Sequence, residues 1–320
     1  MPLINSAFAG NSFSTNAHLE TLTPALFRKV LVKYKRERLN LEDGDFMDLD
    51  WVQQNNKKLL VMFHGLEGSS ESQYMKGFAL HFGKQQYDIC AVNFRSCSGE
   101  HNRLLKSYHN GSTPDIHEVL QHISKTNNYQ VINLAGFSLG GNVLLKYLGD
   151  GVFNLNPKIK SAVVFSVPID LAGCTKQLAK FSNKVYMLGF LDSLNHKLKE
   201  KAALFPGSLN LSGLSKIKTF TEWDNRFTAP IHGFKDAADY YRQCSSKQFL
   251  KNIKIPTLLV NAKNDPFLSK ECYLSPEDEI SPVLHFESPK CGGHVGFSLN
   301  LPNGNYYSEA RASHFFEEHA

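Results

Sequence analysis

The sequence predicts an α/β protein: a mostly parallel central sheet flanked by helices, with a helical cap inserted late in the chain. Three observations carry that expectation. Largely apolar runs of four to six residues recur, as strands buried on both faces require. Helical spacing fills the segments between several of them, which places a crossover helix between neighbouring parallel strands. One interval of about ninety residues, from Val167 to Thr257, carries no good strand. That is far longer than an ordinary crossover connection.

The runs are Leu59 to Phe63, Ile89 to Phe94, Val131 to Ala135, Ala162 to Val167 and Thr257 to Val260, with a weaker one from Val283 to Phe286. Upstream, Val30 to Glu42 and Phe46 to Val52 alternate around Glu42-Asp43-Gly44-Asp45, which reads as an antiparallel hairpin at the sheet edge. Between the second and third runs, Thr113 reads as an N-cap, Pro114 as the first helical residue and Asp115 as an acid in the first turn. Ile116, Val119, Leu120 and Ile123 follow at i, i+3, i+4 and i+7, one apolar face of a helix. Within the strandless interval, Met187, Leu191, Leu194 and Leu198 form a similar stripe that ends among Lys197, Lys199 and Lys201. The whole chain, 1–320, therefore reads as one domain with a cap subdomain at about 171–254.

Composition narrows the function classes. The chain has 320 residues, 42% hydrophobic and 20% charged, which excludes disorder and fibre. Its 35 Lys and Arg against 30 Asp and Glu leave a net charge of +5 with no long basic block, so nucleic acid is not an expected partner. Six cysteines (Cys90, Cys97, Cys174, Cys244, Cys272, Cys291) contain no C-x-x-C pair and no zinc spacing, and read as buried free thiols. The first eighteen residues lack a basic flank and an apolar run, so they are not read as a signal peptide. Nothing approaches about 18 consecutive apolar residues, so no transmembrane segment is expected. The expected setting is reducing and cytoplasmic.

The chemistry begins at Gly136-Phe137-Ser138-Leu139-Gly140, a G-x-S-x-G sequence. Alone the pattern is weak. Here it ends the apolar run Val131 to Ala135 and opens an apolar helical stretch, Gly141 to Leu148, which is the strand-turn-helix setting the motif requires. Small neighbours let the chain turn sharply enough to expose the serine hydroxyl at the foot of a helix. There, backbone N–H groups favour a developing negative charge.

A serine hydroxyl is a poor nucleophile without a base, and the base needs an orienting acid. His294 lies in the glycine-rich loop Lys290 to Phe297 after the last run, and Asp265 lies in the sharp turn after Thr257 to Val260. The chain order Ser138, Asp265, His294 is that of the α/β-hydrolases. The rivals are Asp170, after the fourth run, and His285, inside a strand. For the oxyanion, the N–H of Leu139 follows the nucleophile, and the glycines of His64-Gly65-Leu66-Glu67-Gly68 allow the Leu66 N–H to face it. His64 and Glu67 alone make a poor metal site. No cofactor or metal is expected.

These residues resemble the YheT-like branch of the α/β-hydrolases, a group of esterases and lipases. The resemblance runs through Asn16-Ala17-His18-Leu19-Glu20-Thr21, the segment His64 to Ser69, Asn93-Phe94-Arg95-Ser96-Cys97-Ser98-Gly99-Glu100, and the nucleophile motif onward to Lys146-Tyr147-Leu148-Gly149. It continues through Phe227-Thr228-Ala229-Pro230, Asp239-Tyr240-Tyr241, Asn264-Asp265-Pro266-Phe267 and Gly292 to Phe297. It implies the α/β-hydrolase fold, Ser138 as nucleophile, Asp265 as acid, His294 as base, and Leu66 and Leu139 as oxyanion donors. Ser96 stands where members usually have glycine, which puts the local turn in question. Animal members carry an amino-terminal membrane anchor; none is read in this chain, so membrane attachment is not carried over. The Asn93-Phe94-Arg95 loop offers no chemistry of its own, and Arg95 is expected to pair with a nearby carboxylate or carbonyl.

The function expected is a serine hydrolase of carboxylic esters acting through an acyl-enzyme on a small-molecule or lipid-like acyl ester. The cap's Phe181, Tyr186, Met187, Phe190, Leu191 and Leu194 are candidates to line an acyl pocket. A thioesterase, amidase or acyltransferase on the same side chains, or a non-catalytic binding protein on a hydrolase fold, are the alternatives.

Overall fold

Residues 3–10, 16–299 and 306–319 are described in the computed structural model. Of the amino-terminal stretch read for targeting, residues 1, 2 and 11–15 lie outside the described residues. In chain order the first elements are β1 (Leu3–Ile4), α1 (Ala17–Phe27), β2 (Lys35–Asn40), β3 (Phe46–Val52), β4 (Lys58–Phe63), α2 (Gln73–Gly83) and β5 (Tyr87–Asn93). Then come α3 (Thr113–Thr126), β6 (Val131–Phe137), α4 (Leu139–Gly149) and β7 (Ile159–Phe165). Helices α5 (Leu171–Leu178), α6 (Lys184–Leu204), α7 (Phe220–Trp223), α8 (Ala229–His232) and α9 (Ala237–Cys244) follow, before β8 (Thr257–Val260), β9 (Leu284–Glu287) and α10 (Tyr307–Glu318).

The strands form one sheet in the order β1-β9-β8-β7-β6-β4-β5-β3-β2. All neighbours are parallel except β3, which runs antiparallel to both β2 and β5. The side-chain period of two explains why the central strands are largely apolar on both faces. In β4, Leu59, Val61 and Phe63 face the core under α3 and α4, while Leu60 and Met62 face the one under α2 and α10. Each such burial contributes roughly 1.5–3 kcal/mol. The hairpin lies at the sheet edge as expected, but its first strand begins at Lys35: Val30 donates its N–H to the Gln73 side chain, and Val32 and Tyr34 pack on the α2 side instead of pairing.

Thr113, expected as a cap, is the first residue of α3, and Ser112 occupies the cap position. The chain from His109 to Ser112 is already folded into a turn, with the Ser112 N–H bonded to the His109 carbonyl, so the helix starts one residue earlier. Asp115 does more than favour a helix end. With Asp43 and Asp45 it surrounds the buried Arg95 guanidinium at 2.7–2.9 Å. This is the carboxylate pairing expected of Arg95, and it ties the loop after β5 to the β2–β3 turn and to α3. Ser96, the departure from glycine, adopts φ +62°. That left-handed geometry costs a non-glycine residue roughly 1–2 kcal/mol, and its hydroxyl donates to Asn102 Oδ1.

Parallel strands all point one way, so the segments leaving β4, β5, β6, β8 and β9 gather along one edge of the sheet. Between β7 and β8 the chain builds helices only. Met187, Leu191, Leu198, Phe220, Trp223 and Phe227 form their core, joined by Phe267 from the segment after β8. All six cysteines are free and buried. No helix among the described residues is long and apolar enough to cross a membrane.

Candidate active site

Ser138 stands between β6 and α4 with φ +50° and ψ −119°. The flanking glycines are forced by close approach. A Cβ at Gly140 would stand 2.4 Å from the carbonyl oxygens of both Phe63 and His64, and one at Gly136 would stand 2.7 Å from the Gly141 Cα. The motif is thus the condition for laying α4 against the end of β4 while the serine side chain projects into the space above it.

Ser138, Asp265 and His294 come together. Asp265 Oδ2 lies 2.8 Å from His294 Nδ1, and His294 Nε2 lies 2.9 Å from Ser138 Oγ. The carboxylate can only accept, so Nδ1 carries the proton and the bare Nε2 is left to accept the serine O–H. The Asp265 side chain is fully buried. Its second oxygen accepts the Phe267 N–H at 2.9 Å, which fixes the plane of the carboxyl group. The Phe267 ring packs on the imidazole at a centroid distance of 4.3 Å. The rivals sit elsewhere. Asp170 caps α5 by accepting the Gly173 N–H at 2.9 Å, and the His285 ring packs on Phe315 and His319.

Leu66 and Leu139 line the same cavity, of about 180 Å³, as Ser138 and His294. The Leu139 N–H is the first of α4, a group that a helix leaves without an intrahelical partner. Leu66 is held by its neighbours. The Gly65 N–H donates to the Tyr74 hydroxyl, the Glu67 N–H donates to the Tyr108 hydroxyl, and Glu67 takes φ +55°. His64 braces this turn from beneath: Nε2 accepts the Phe94 N–H at 3.1 Å, so Nδ1 donates to the Gly65 carbonyl at 2.7 Å. Burial drives its pKa down to about 4, which keeps it neutral. The Glu67 carboxylate binds Tyr108, Ser193 and Lys197, a tie from the turn to α6.

Of the six cap residues expected in an acyl pocket, Phe190 and Leu194 line the cavity. Met187 and Leu191 face the core of the helical insertion, Phe181 is 88% exposed, and Tyr186 packs against His18 and Phe267. Periodicity marks an apolar stripe but cannot say which part of it meets the cavity. Leu178, Leu198, Trp223 and Phe227 complete much of the apolar wall.

The reading of residues alone missed what α1 does. Glu20 Oε2 accepts the Gly292 N–H at 3.1 Å and the Asn264 side-chain amide at 2.5 Å, while Asn264 Oδ1 accepts the Gly293 N–H at 3.1 Å. The Thr21 hydroxyl accepts the His294 N–H at 2.9 Å. Glu20 and Thr21 therefore clamp the loop bearing His294 to the residue before Asp265. Gly296 accommodates the same contact, since a Cβ there would stand 2.4 Å from the Glu20 carbonyl oxygen. The signal was present as the Asn16 to Thr21 motif, which the resemblance marked without giving it a role.

The chain matches the family model described as alpha/beta hydrolase fold over residues 58–301. It is 38% identical over 291 residues to YheT of Escherichia coli strain K12, a candidate esterase by name, covering 88% of this chain and 84% of that one. It is 28% identical over 289 residues to the phospholipase ABHD3 of Bos taurus, covering 86% and 69% respectively. A monoacylglycerol lipase of Saccharomyces cerevisiae is 27% identical over 267 residues, covering 79% and 58%. Among solved structures, the Pyrococcus furiosus esterase Pf2001 superposes with a TM-score of 0.60 at 15% identity, covering 91% of this chain and 98% of that one. The alpha/beta hydrolase GrgF from Penicillium sp. sh18 gives 0.61 at 14% identity, covering 90% and 99%. At those identities the structures speak for the fold alone.

Proposed function

The chain belongs to the alpha/beta hydrolase family, in its YheT-like branch, and from that premise we propose that it is a serine hydrolase of carboxylic esters working through an acyl-enzyme. His294 removes the proton from Ser138 as the hydroxyl attacks the acyl carbonyl. Asp265 holds the imidazole and stabilises its charged form. The N–H groups of Leu66 and Leu139 receive the oxyanion. His294 then returns the proton to the leaving alcohol, and water, activated by the same imidazole, releases the acid. No cofactor or metal takes part in this sequence. The observation that carries the reading is the single imidazole bonded at 2.8 Å to a buried carboxylate and at 2.9 Å to a serine, beside an apolar cavity.

Residues 171–254 act as a cap on the single hydrolase domain, and those of their apolar side chains that line the cavity, Phe190 and Leu194 among them, accept the acyl group. The cavity of about 180 Å³ exceeds the roughly 150 Å³ that holds a benzene in an engineered protein core, so it takes several methylenes. At about 0.8 kcal/mol per buried methylene, kcat/KM rises roughly fourfold per added carbon until the cavity fills. A chain-length series of p-nitrophenyl esters tests this, and indifference to length contradicts it. Parallel thioester and amide substrates read the leaving group. Ser138→Ala lowers ester hydrolysis at least about ten-thousandfold; a rate equal to the wild type sinks the proposal. Six free thiols support a reducing, cytoplasmic setting.

A further inference from the structure

Helix α6 is apolar on two sides. Phe190, Leu194 and Leu198 turn into the catalytic cavity. On the outside, from the turn before the helix into its second turn, Phe181, Val185 and Leu188 stand at i, i+4 and i+7 with 88%, 76% and 45% exposure. Helix α1 adjoins this face: the Tyr186 hydroxyl lies 3.1 Å from His18 Nδ1, and the next residue, Leu19, is exposed, as are Leu26 and Phe27 along the same helix. Single exposed apolar side chains are ordinary, whereas a run of them across two touching helices marks an interaction surface.

The charge around this patch is mainly positive, with the exposed Asp192, one turn beyond Leu188, at its far end. Lys176, Lys180 and Lys184 are exposed, and residues 171–191 contain no Asp or Glu. Residues 21–36, from within α1 to the start of β2, also contain none, while exposed Lys29 and Lys33 lie just beyond α1. Apolar tips among five exposed lysines, against the single exposed acid Asp192 on the same face of α6, complement a surface of anionic headgroups over acyl chains. The patch is also close to the chemistry. Tyr186 packs on Phe267, and Phe267 packs on His294. We infer that the crown formed by Phe181, Val185, Leu188 and Leu19, with Lys180 and Lys184, docks the protein on an anionic lipid surface and sets the cavity mouth against it. That use of the docking rests on the ester-hydrolase reading; the docking itself does not.

The test is co-sedimentation of the full chain with vesicles of phosphatidylglycerol and phosphatidylcholine in equal parts, against phosphatidylcholine alone. The lipids are ether-linked so that nothing is hydrolysed, and p-nitrophenyl acetate turnover is measured on the same samples. The wild type partitions onto the anionic vesicles and is released by salt. Phe181→Ser with Val185→Ser lowers partitioning at least about tenfold, and Lys180→Gln and Lys184→Gln lower it about fivefold each. All these variants keep the wild-type rate on the soluble ester, which shows that they fold. A wild type that stays in the supernatant at every lipid concentration overturns the inference, as do variants that bind like the wild type. A lipid-free dimer that the Phe181→Ser, Val185→Ser variant abolishes also overturns it, because the patch then serves a second copy of the chain. Vesicle binding without ester turnover refutes the hydrolase reading and leaves the docking standing.

Discussion

Glu20 touches none of the reacting atoms, yet its replacement by alanine should lower turnover. One carboxylate oxygen accepts both the Gly292 N–H and the Asn264 amide. Glu20→Ala removes both and leaves the loop that carries His294 tied to α1 by the Thr21 hydrogen bond and by backbone packing at Gly293 and Gly296. A hydrogen bond to a charged group contributes about 1.5–3 kcal/mol, and at this half-buried position water recovers part of the loss. The kinetic consequence is larger than the loss of stability, because a catalytic group displaced by about 1 Å can cost on the order of a hundredfold in rate. We therefore expect kcat to fall between about tenfold and a hundredfold, with KM unchanged within about twofold. Glu20→Gln keeps an acceptor oxygen and should recover most of the rate. The assay is steady-state hydrolysis of a soluble p-nitrophenyl ester, with thermal unfolding followed on the same preparations. A Glu20→Ala enzyme with the wild-type kcat refutes the positioning role. So does a loss that Glu20→Gln shares in full.

Two further outcomes follow from the buried charges. Arg95→Met leaves Asp45 and Asp115 buried without their cation, so unfolding in urea should show a loss of about 3–5 kcal/mol; a loss under about 1 kcal/mol contradicts the account of that loop. His64 is held neutral with a pKa of about 4, against about 6.5 when unfolded. Between these values only the unfolded chain takes up the proton, so the contribution of His64 is complete above pH 6.5 and is lost as pH falls toward 4. The loss is on the order of 3 kcal/mol. His64→Asn should abolish that component, so the stability gap between the two proteins narrows on acidification; a gap independent of pH refutes it.

What could be read from the sequence and what could not divide along a physical line. Apolar runs located β4 to β8 because a strand buried on both faces is apolar at most positions, and G-x-S-x-G located Ser138 because that turn tolerates few other residues. Chain order and strand ends brought Asp265 and His294 into the same candidate site. The failures are contacts that no local pattern encodes. Glu20 meets Gly292 across 272 residues of chain, a relation visible only once α1 is docked. Val30 to Tyr34 alternates like a strand, yet that segment packs on the α2 side. The cap's apolar candidates share no single face: Phe190 and Leu194 reach the cavity, Met187 and Leu191 face the core of the insertion, and Phe181, in the turn before α6, reaches solvent. Thr113 and Ser112 differ by one residue because the turn from His109 starts the helix early.

The central claim is that Ser138 is a nucleophile activated by His294. Labelling with a fluorophosphonate probe, read by intact mass and peptide mapping, tests it most directly, because the reagent reacts with an activated serine and needs no knowledge of the natural ester. The account predicts one adduct per chain, located on Ser138, absent in Ser138→Ala and strongly slowed in His294→Ala. An unlabelled folded wild type, or an adduct that persists in Ser138→Ala, would contradict it.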